Sequence, residues 1–141
     1  MTVAQPNAIG SPGYTAEVPC VRESVSRARA LVSHVLAVWG TDDDATGYGK
    51  VIVTELLANA VEHTDTPVSR VLIERPGNGA VHIGVSDRSH DVPHLKTTDL
   101  NAESSRGLSL VAAMSSRWGY ETHPWGKVTW AAVKASAGRT Q

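Results

Sequence analysis

The chain has 141 residues, 41% of them hydrophobic, and a formal net charge of −1. That suits one domain with its own core and offers neither the basic excess that nucleic acid calls for nor an acidic disordered block. The single cysteine, Cys20, excludes an internal disulfide framework. With no membrane-length apolar run and no apolar signal core in the first twenty residues, the expectation is a cytoplasmic protein that meets neither membrane nor nucleic acid directly.

Met1 to Pro12 is small, polar and interrupted by Pro and Gly, and reads as a disordered tail. Tyr14 to Val18 alternates as a short edge strand that Pro19 ends. Val21, Val25, Ala28, Val32, Val35 and Trp39 recur at four- and three-residue steps, with Leu31 and Leu36 widening the stripe, so 21–39 is an amphipathic helix. Gly40 fits the left-handed position after a helix end. Thr41 or one of Asp42 to Asp44 can cap a second helix from about Asp44 to His63, which Thr64-Asp65-Thr66-Pro67 stops.

The second helix has two faces. Val53, Leu56, Leu57, Ala60 and Val61 make an apolar stripe for the core; Glu55, Asn59, Glu62 and His63 fall opposite, with Ile52 beside them. Asn is a poor interior helix residue, because its amide competes for backbone hydrogen bonds. Two readings stand side by side. One is a solvated polar face. The other is a metal–nucleotide site, where an Asn carbonyl oxygen enters the octahedral shell of Mg²⁺ and a carboxylate one turn away orients a hydroxyl or water at the terminal phosphate.

Ser69 to Arg75 and Ala80 to Asp87 read as strands, and Pro76-Gly77-Asn78-Gly79 turns them into an antiparallel hairpin. Val81, Ile83 and Val85 share one face, His82, Gly84 and Ser86 the other, and Asp87 ends the strand. Ser89 to Ser105 has no periodicity, and a connection of that length is functional or mobile. Arg106 to Ser116 reads as a helix on Leu108, Leu110, Val111 and Met114. Arg117 to His123 and Lys127 to Lys134 read as strands joined by Pro124-Trp125-Gly126. The predicted fold class is α+β: a two-layer sandwich with helices on one face of a mostly antiparallel, mixed sheet. One domain is expected over 13–135, between tails at 1–12 and 136–141.

Chemistry is suggested at four more places. Asp87 is either a turn starter or a carboxylate that accepts from an exocyclic amine such as that of adenine. Ser105-Arg106-Gly107-Leu108 is an ordinary helix start or a set of N–H groups facing phosphate. Gly126-Lys127-x-Thr129-Trp130 reads as a hairpin turn feeding an edge strand. His90-Asp91-x-x-His94 suggests a metal-dependent hydrolase, although zinc needs three or four well-placed ligands and a polar loop solvates its histidines.

The order Glu-x-x-x-Asn-Ala-x-x-His, a hairpin ending in Asp, a loop, Arg-Gly-Leu-x-Leu-Val, Trp-Gly, then Gly-Lys-x-x-Trp resembles the Bergerat-fold, histidine-kinase-like ATPases over roughly residues 14–134. The wording is similar to that of the small anti-sigma-factor serine/threonine kinases and their actinobacterial relatives. The resemblance implies ATP and Mg²⁺ as cofactors. Asn59 would bind the metal and Glu55 would be the general base or positioning carboxylate. His63 would lie near the phosphates and Asp87 at the adenine amino group. Arg106, Gly107 and Leu108 would belong to the second glycine box, and Thr129 would sit by the adenine.

It also implies a kinase that phosphorylates an anti-anti-sigma (antagonist) protein or sequesters a sigma factor in transcription regulation. A homodimer is implied too, through the region of the first helix. No sensor, receiver or phosphoacceptor region is visible, so an intact sensor histidine kinase is not expected. Two glycines of the usual Asp-x-Gly-x-Gly box are replaced here by Ser89 and Asp91, and Ser105 replaces one in the second box. Glycines let backbone approach a ligand closely, so the alternative is a catalytically inactive ATP-binding or partner-binding module of the same fold.

Overall fold

A computed structural model of the chain describes residues 4–6, 13–77, 79–92 and 103–135, with backbone alone at 4–6 and 103–107. The elements are β1 (Ala4–Pro6), β2 (Gly13–Pro19), a 3₁₀ turn at Arg22–Ser24, α1 (Val25–Val38), α2 (Asp43–His63), β3 (Val68–Glu74), β4 (Ala80–Asp87), α3 (Glu103–Met114), β5 (Arg117–His123) and β6 (Gly126–Lys134).

Local chemistry accounts for the helix ends. Gly40 takes φ 72° just past α1, where a side chain would be strained. Asp42 caps α2 by accepting from Ala45 N at 3.1 Å, and Asp43 and Asp44 place negative charge in its first turn, where the helix dipole favours it. The α1 stripe of Ala28, Val32, Val35 and Leu36 is buried as its spacing predicts.

On α2 the apolar arc is wider than the sequence suggested. Ile52, expected beside the polar side chains, is fully buried with Val53 and Leu57. The cause is tertiary: α2 packs against α1, α3 and β4 at once, and three neighbours bury more of a helix than one stripe does. Each such aliphatic side chain contributes roughly 1.5–3 kcal/mol on burial.

The sheet runs β1-β2-β3-β4-β6-β5, and every ladder among the described residues is antiparallel, with no parallel pair of the kind a mixed sheet would hold. Three expectations change. β2 is not an edge, because Ala4–Pro6 pairs outside it, Gln5 opposite Thr15. Three residues are too few to show a period of two, and β1 lies inside the stretch expected to be tail; residues 1–3 and 7–12 are outside the described residues. β6 is likewise interior, between β4 and β5. And α3 starts at Glu103 instead of Arg106.

Val71, Ile73, Val81, Ile83, Val85, Ala131 and Val133 face the helices and form the core with them. The opposite face stays open: His82 stacks on Trp130, ring centroids 5.8 Å apart and planes within 6°, and the Arg117 guanidinium lies 5.5 Å over the same indole. No helix among the described residues is long and apolar enough to cross a membrane.

Candidate functional site

Glu55 and Asn59 lie half-buried one turn apart on α2, and Glu62 and His63 lie exposed at its end. The Arg22 Nη2 donates to Glu62 Oε2 at 3.0 Å. With both side chains partly solvated, that pair contributes at most about 1 kcal/mol.

Past His63 the chain is held by hydroxyls. Thr64 Oγ1 donates to Ala60 O at 2.6 Å and lies 2.7 Å from Thr66 Oγ1. The buried Thr66 Oγ1 accepts from Arg88 N at 2.9 Å. These bonds tie the end of α2 to the residue that follows Asp87. A hollow of about 620 Å³ there is lined by Glu62, His63, Thr64, Asp65, Arg88, Ser89 and Asp91, and not by Glu55, Asn59 or Asp87.

Asp87 is 5% exposed. Its Oδ1 accepts from Ser89 N at 2.8 Å and from Lys127 Nζ at 3.0 Å. Lys127, 4% exposed, stands directly opposite it in the β4–β6 ladder. A buried charge is tolerated only when paired, and each of these holds the other. The second carboxylate oxygen of Asp87 has no hydrogen-bond partner among the described residues.

The missing glycines are replaced by side-chain chemistry. Ser89 N bonds back to Asp87 Oδ1, and Asp91 N bonds back to Ser89 Oγ at 3.0 Å. These are two successive turns of the kind that Asp and Ser side chains stabilise. No non-glycine residue among those described has positive φ, so the backbone after Asp87 needs no glycine to follow this path. His90 Nε2 lies 3.2 and 3.1 Å from the carbonyl oxygens of His123 and Pro124, which fastens the segment to the β5–β6 turn.

The remaining expected residues fall as follows. Leu108 is buried on α3. Arg106 and Gly107 lie within α3, and since the helix begins at Glu103, the N–H groups left over at its N-terminus are those of 103–105. Thr129 is buried opposite Val85, two residues along β6 from Lys127 and on the same face. Among the described residues no three His, Cys, Asp or Glu side chains converge on a metal-sized point. His90 is engaged with carbonyls, and His94 is outside the described residues, so the hydrolase reading gains nothing.

Lys127, which holds Asp87, has no role assigned by the sequence, where it falls in a turn leading into an edge strand. The available signal was the Gly-Lys pair itself, but its partner lies forty residues away.

The donor set suits a nucleotide. A carboxylate with one oxygen engaged and one open can accept from an amine, and a half-buried Asn amide one turn from a Glu can offer an oxygen to Mg²⁺.

Comparison with known proteins bears on the fold and the family. The chain resembles the crystal structure of the RsbU and RsbW domains of Rv1364c from Mycobacterium tuberculosis, with a TM-score of 0.63, 17% identity, and coverage of 92% of this chain and 40% of that one. It thus spans well under half the length of that structure, and at this identity the likeness is one of fold. A histidine kinase domain from the Erythrobacter litoralis EL346 blue-light activated histidine kinase gives a TM-score of 0.47 at 16% identity, covering 83% of this chain and 61% of that one; it carries no argument. A search of curated proteins by sequence gave no match. The family model of the histidine kinase-like ATPase domain matches residues 18–133, and the chain belongs to that family.

Proposed function

We propose that this domain binds ATP with Mg²⁺ and passes the γ-phosphoryl group to a serine or threonine of a partner protein, in the manner of the small anti-sigma-factor kinases. The observation that carries it is Asp87: a buried carboxylate fixed through one oxygen, with no partner for the other among the described residues, at the end of β4 in an ATPase-family fold. The open oxygen would accept from the adenine amino group. Asn59 would offer its amide oxygen to the metal, and Glu55 would orient the acceptor hydroxyl and hold its proton. His63 and Arg88, which both line the hollow, would flank the phosphates, with the α3 start at 103–108 nearby and Thr129 beside the base.

Mg²⁺, when bound, would neutralise charge on the phosphate oxygens; positioning and charge neutralisation dominate this chemistry, so no strong base is needed. The partners would be an anti-anti-sigma (antagonist) protein as phosphoacceptor and a sigma factor held in another state, all in the cytoplasm, with the domain as a homodimer.

The test is to mix the protein with candidate antagonists and labelled Mg-ATP, beside Glu55→Ala. Label appearing on antagonist serine or threonine, and falling at least about 100-fold in the variant, supports the kinase. Transfer that is absent, or untouched by the substitution, removes it.

A second reading is favoured by the turns built from Ser89 and Asp91, which occupy positions where glycines would let backbone close on a ligand. The same fold would then dock partners without turnover. Neither heat nor thermal shift at millimolar Mg-ATP would select it.

A further inference from the structure

We propose that Lys127 is a specificity-determining residue that donates to N1 of adenine, beside Asp87 reading the 6-amino group. This rests on the nucleotide reading above and deepens it.

The starting point is an unfinished hydrogen-bond account. A lysine ammonium carries three donors. Lys127 is 4% exposed, and Asp87 Oδ1 is its one hydrogen-bond partner among the described residues. Among the described residues that leaves two N–H bonds of a buried cation without a partner, next to a carboxylate oxygen that also has none among them. Burying a charge so incompletely satisfied is costly. A pair held only for stability would satisfy the ammonium donors more fully, or would be replaced by apolar side chains at little loss. A donor and an acceptor left open side by side fit a ligand edge that presents an acceptor next to a donor.

The base edge of adenine is such an edge: the 6-amino group donates, and the adjacent N1 accepts. Against fixed partners the pattern has a sense. Guanine placed in the same pose sets its O6 acceptor against the Asp87 carboxylate and its N1–H donor against the Lys127 ammonium. Both contacts are repulsive, and a buried mismatch of this kind discriminates strongly. The pair is also well placed to stay fixed. Asp87 and Lys127 are direct partners in an antiparallel ladder. Ser89 N pins the same carboxylate oxygen that Lys127 holds, so the other oxygen keeps its aim.

The test is calorimetric titration of the full chain in Mg²⁺ with ATP, 1-deaza-ATP, 7-deaza-ATP and GTP, repeated on Lys127→Met. The 1-deaza analogue lacks only the N1 acceptor; the 7-deaza analogue keeps it. The wild-type protein is expected to bind ATP and 7-deaza-ATP alike, and 1-deaza-ATP and GTP at least about tenfold more weakly. In Lys127→Met the gap between ATP and 1-deaza-ATP closes. Measurable ATP binding with an equal affinity for 1-deaza-ATP in the wild type overturns the role of Lys127 and leaves the nucleotide reading standing. Absence of binding to every nucleotide overturns that reading and this one with it. The wild-type comparison decides even if the variant fails to fold.

Discussion

Gly126 lies so close to the main chain of Asp87 that a Cβ built on it would fall inside the Asp87 carbonyl oxygen and stand 2.7 Å from the Cα of Arg88. Its φ of 151° is also a value that side chains rarely adopt. The start of β6 is thus pressed onto the end of β4 where the candidate base-reading carboxylate sits. Gly126→Ala is expected to cost at least about 1–3 kcal/mol from backbone strain alone and to displace Asp87. A lowered melting temperature together with lost nucleotide binding is the predicted outcome; a variant with wild-type melting would show that the approach is looser than described.

The Asp87–Lys127 pair makes a prediction about stability that does not involve ligand. Removing one partner leaves the other charged and buried, so Asp87→Leu and Lys127→Met should each destabilise by about 3–5 kcal/mol. The double substitution leaves no buried charge and should recover most of that loss. Denaturant titrations of the four proteins measure the coupling, and simple additivity would mean the two side chains do not meet in solution.

Thr66 ties the end of α2 to the segment after Asp87 through its bond from Arg88 N. Thr66→Val keeps the shape but removes the acceptor, leaving a backbone donor short of its partner at a cost of about 1–3 kcal/mol. Hydrogen exchange should speed up at Arg88 and Ser89 while the core of β3 stays protected. Unchanged exchange at Arg88 would rule out the tie.

His82 titrates below its ordinary value of 6.5, first because burial disfavours the charged ring and second because Arg117 stands nearby, with Glu74 opposing. The sign follows directly. The unfolded chain takes up the proton more readily than the folded one, so stability is full above about pH 6.5 and is lost as pH falls through the folded value. His82→Phe keeps a ring against Trp130 and should flatten stability between pH 7 and 5 relative to wild type. An identical slope in both proteins would assign the acid sensitivity elsewhere.

Much of the fold was legible because its signals are local. The stripe of α1 from Val25 onward, the Asp cap of α2 and the alternation of β4 each involve residues within a few positions of one another and lie where their patterns put them, although α1 begins at Val25 and not at Val21, which is extended and exposed; Asn78 of the expected turn is outside the described residues. The Glu55–Asn59 pair was visible for the same reason, since residues four apart on a helix are neighbours. Three residues of β1, the buried Ile52 and the early start of α3 were not, because pairing, flanking helices and helix ends depend on what else packs there.

Composition and short-range periodicity were therefore enough to determine an α+β fold, most of its helices and strands, and a helix that places an amide beside a carboxylate. Only the folded chain decided which lysine meets Asp87. β6 reaches β4 after α3 and β5 have intervened, and the register of two strands that distant is set by the packing of everything between them, which no repeat along the chain encodes.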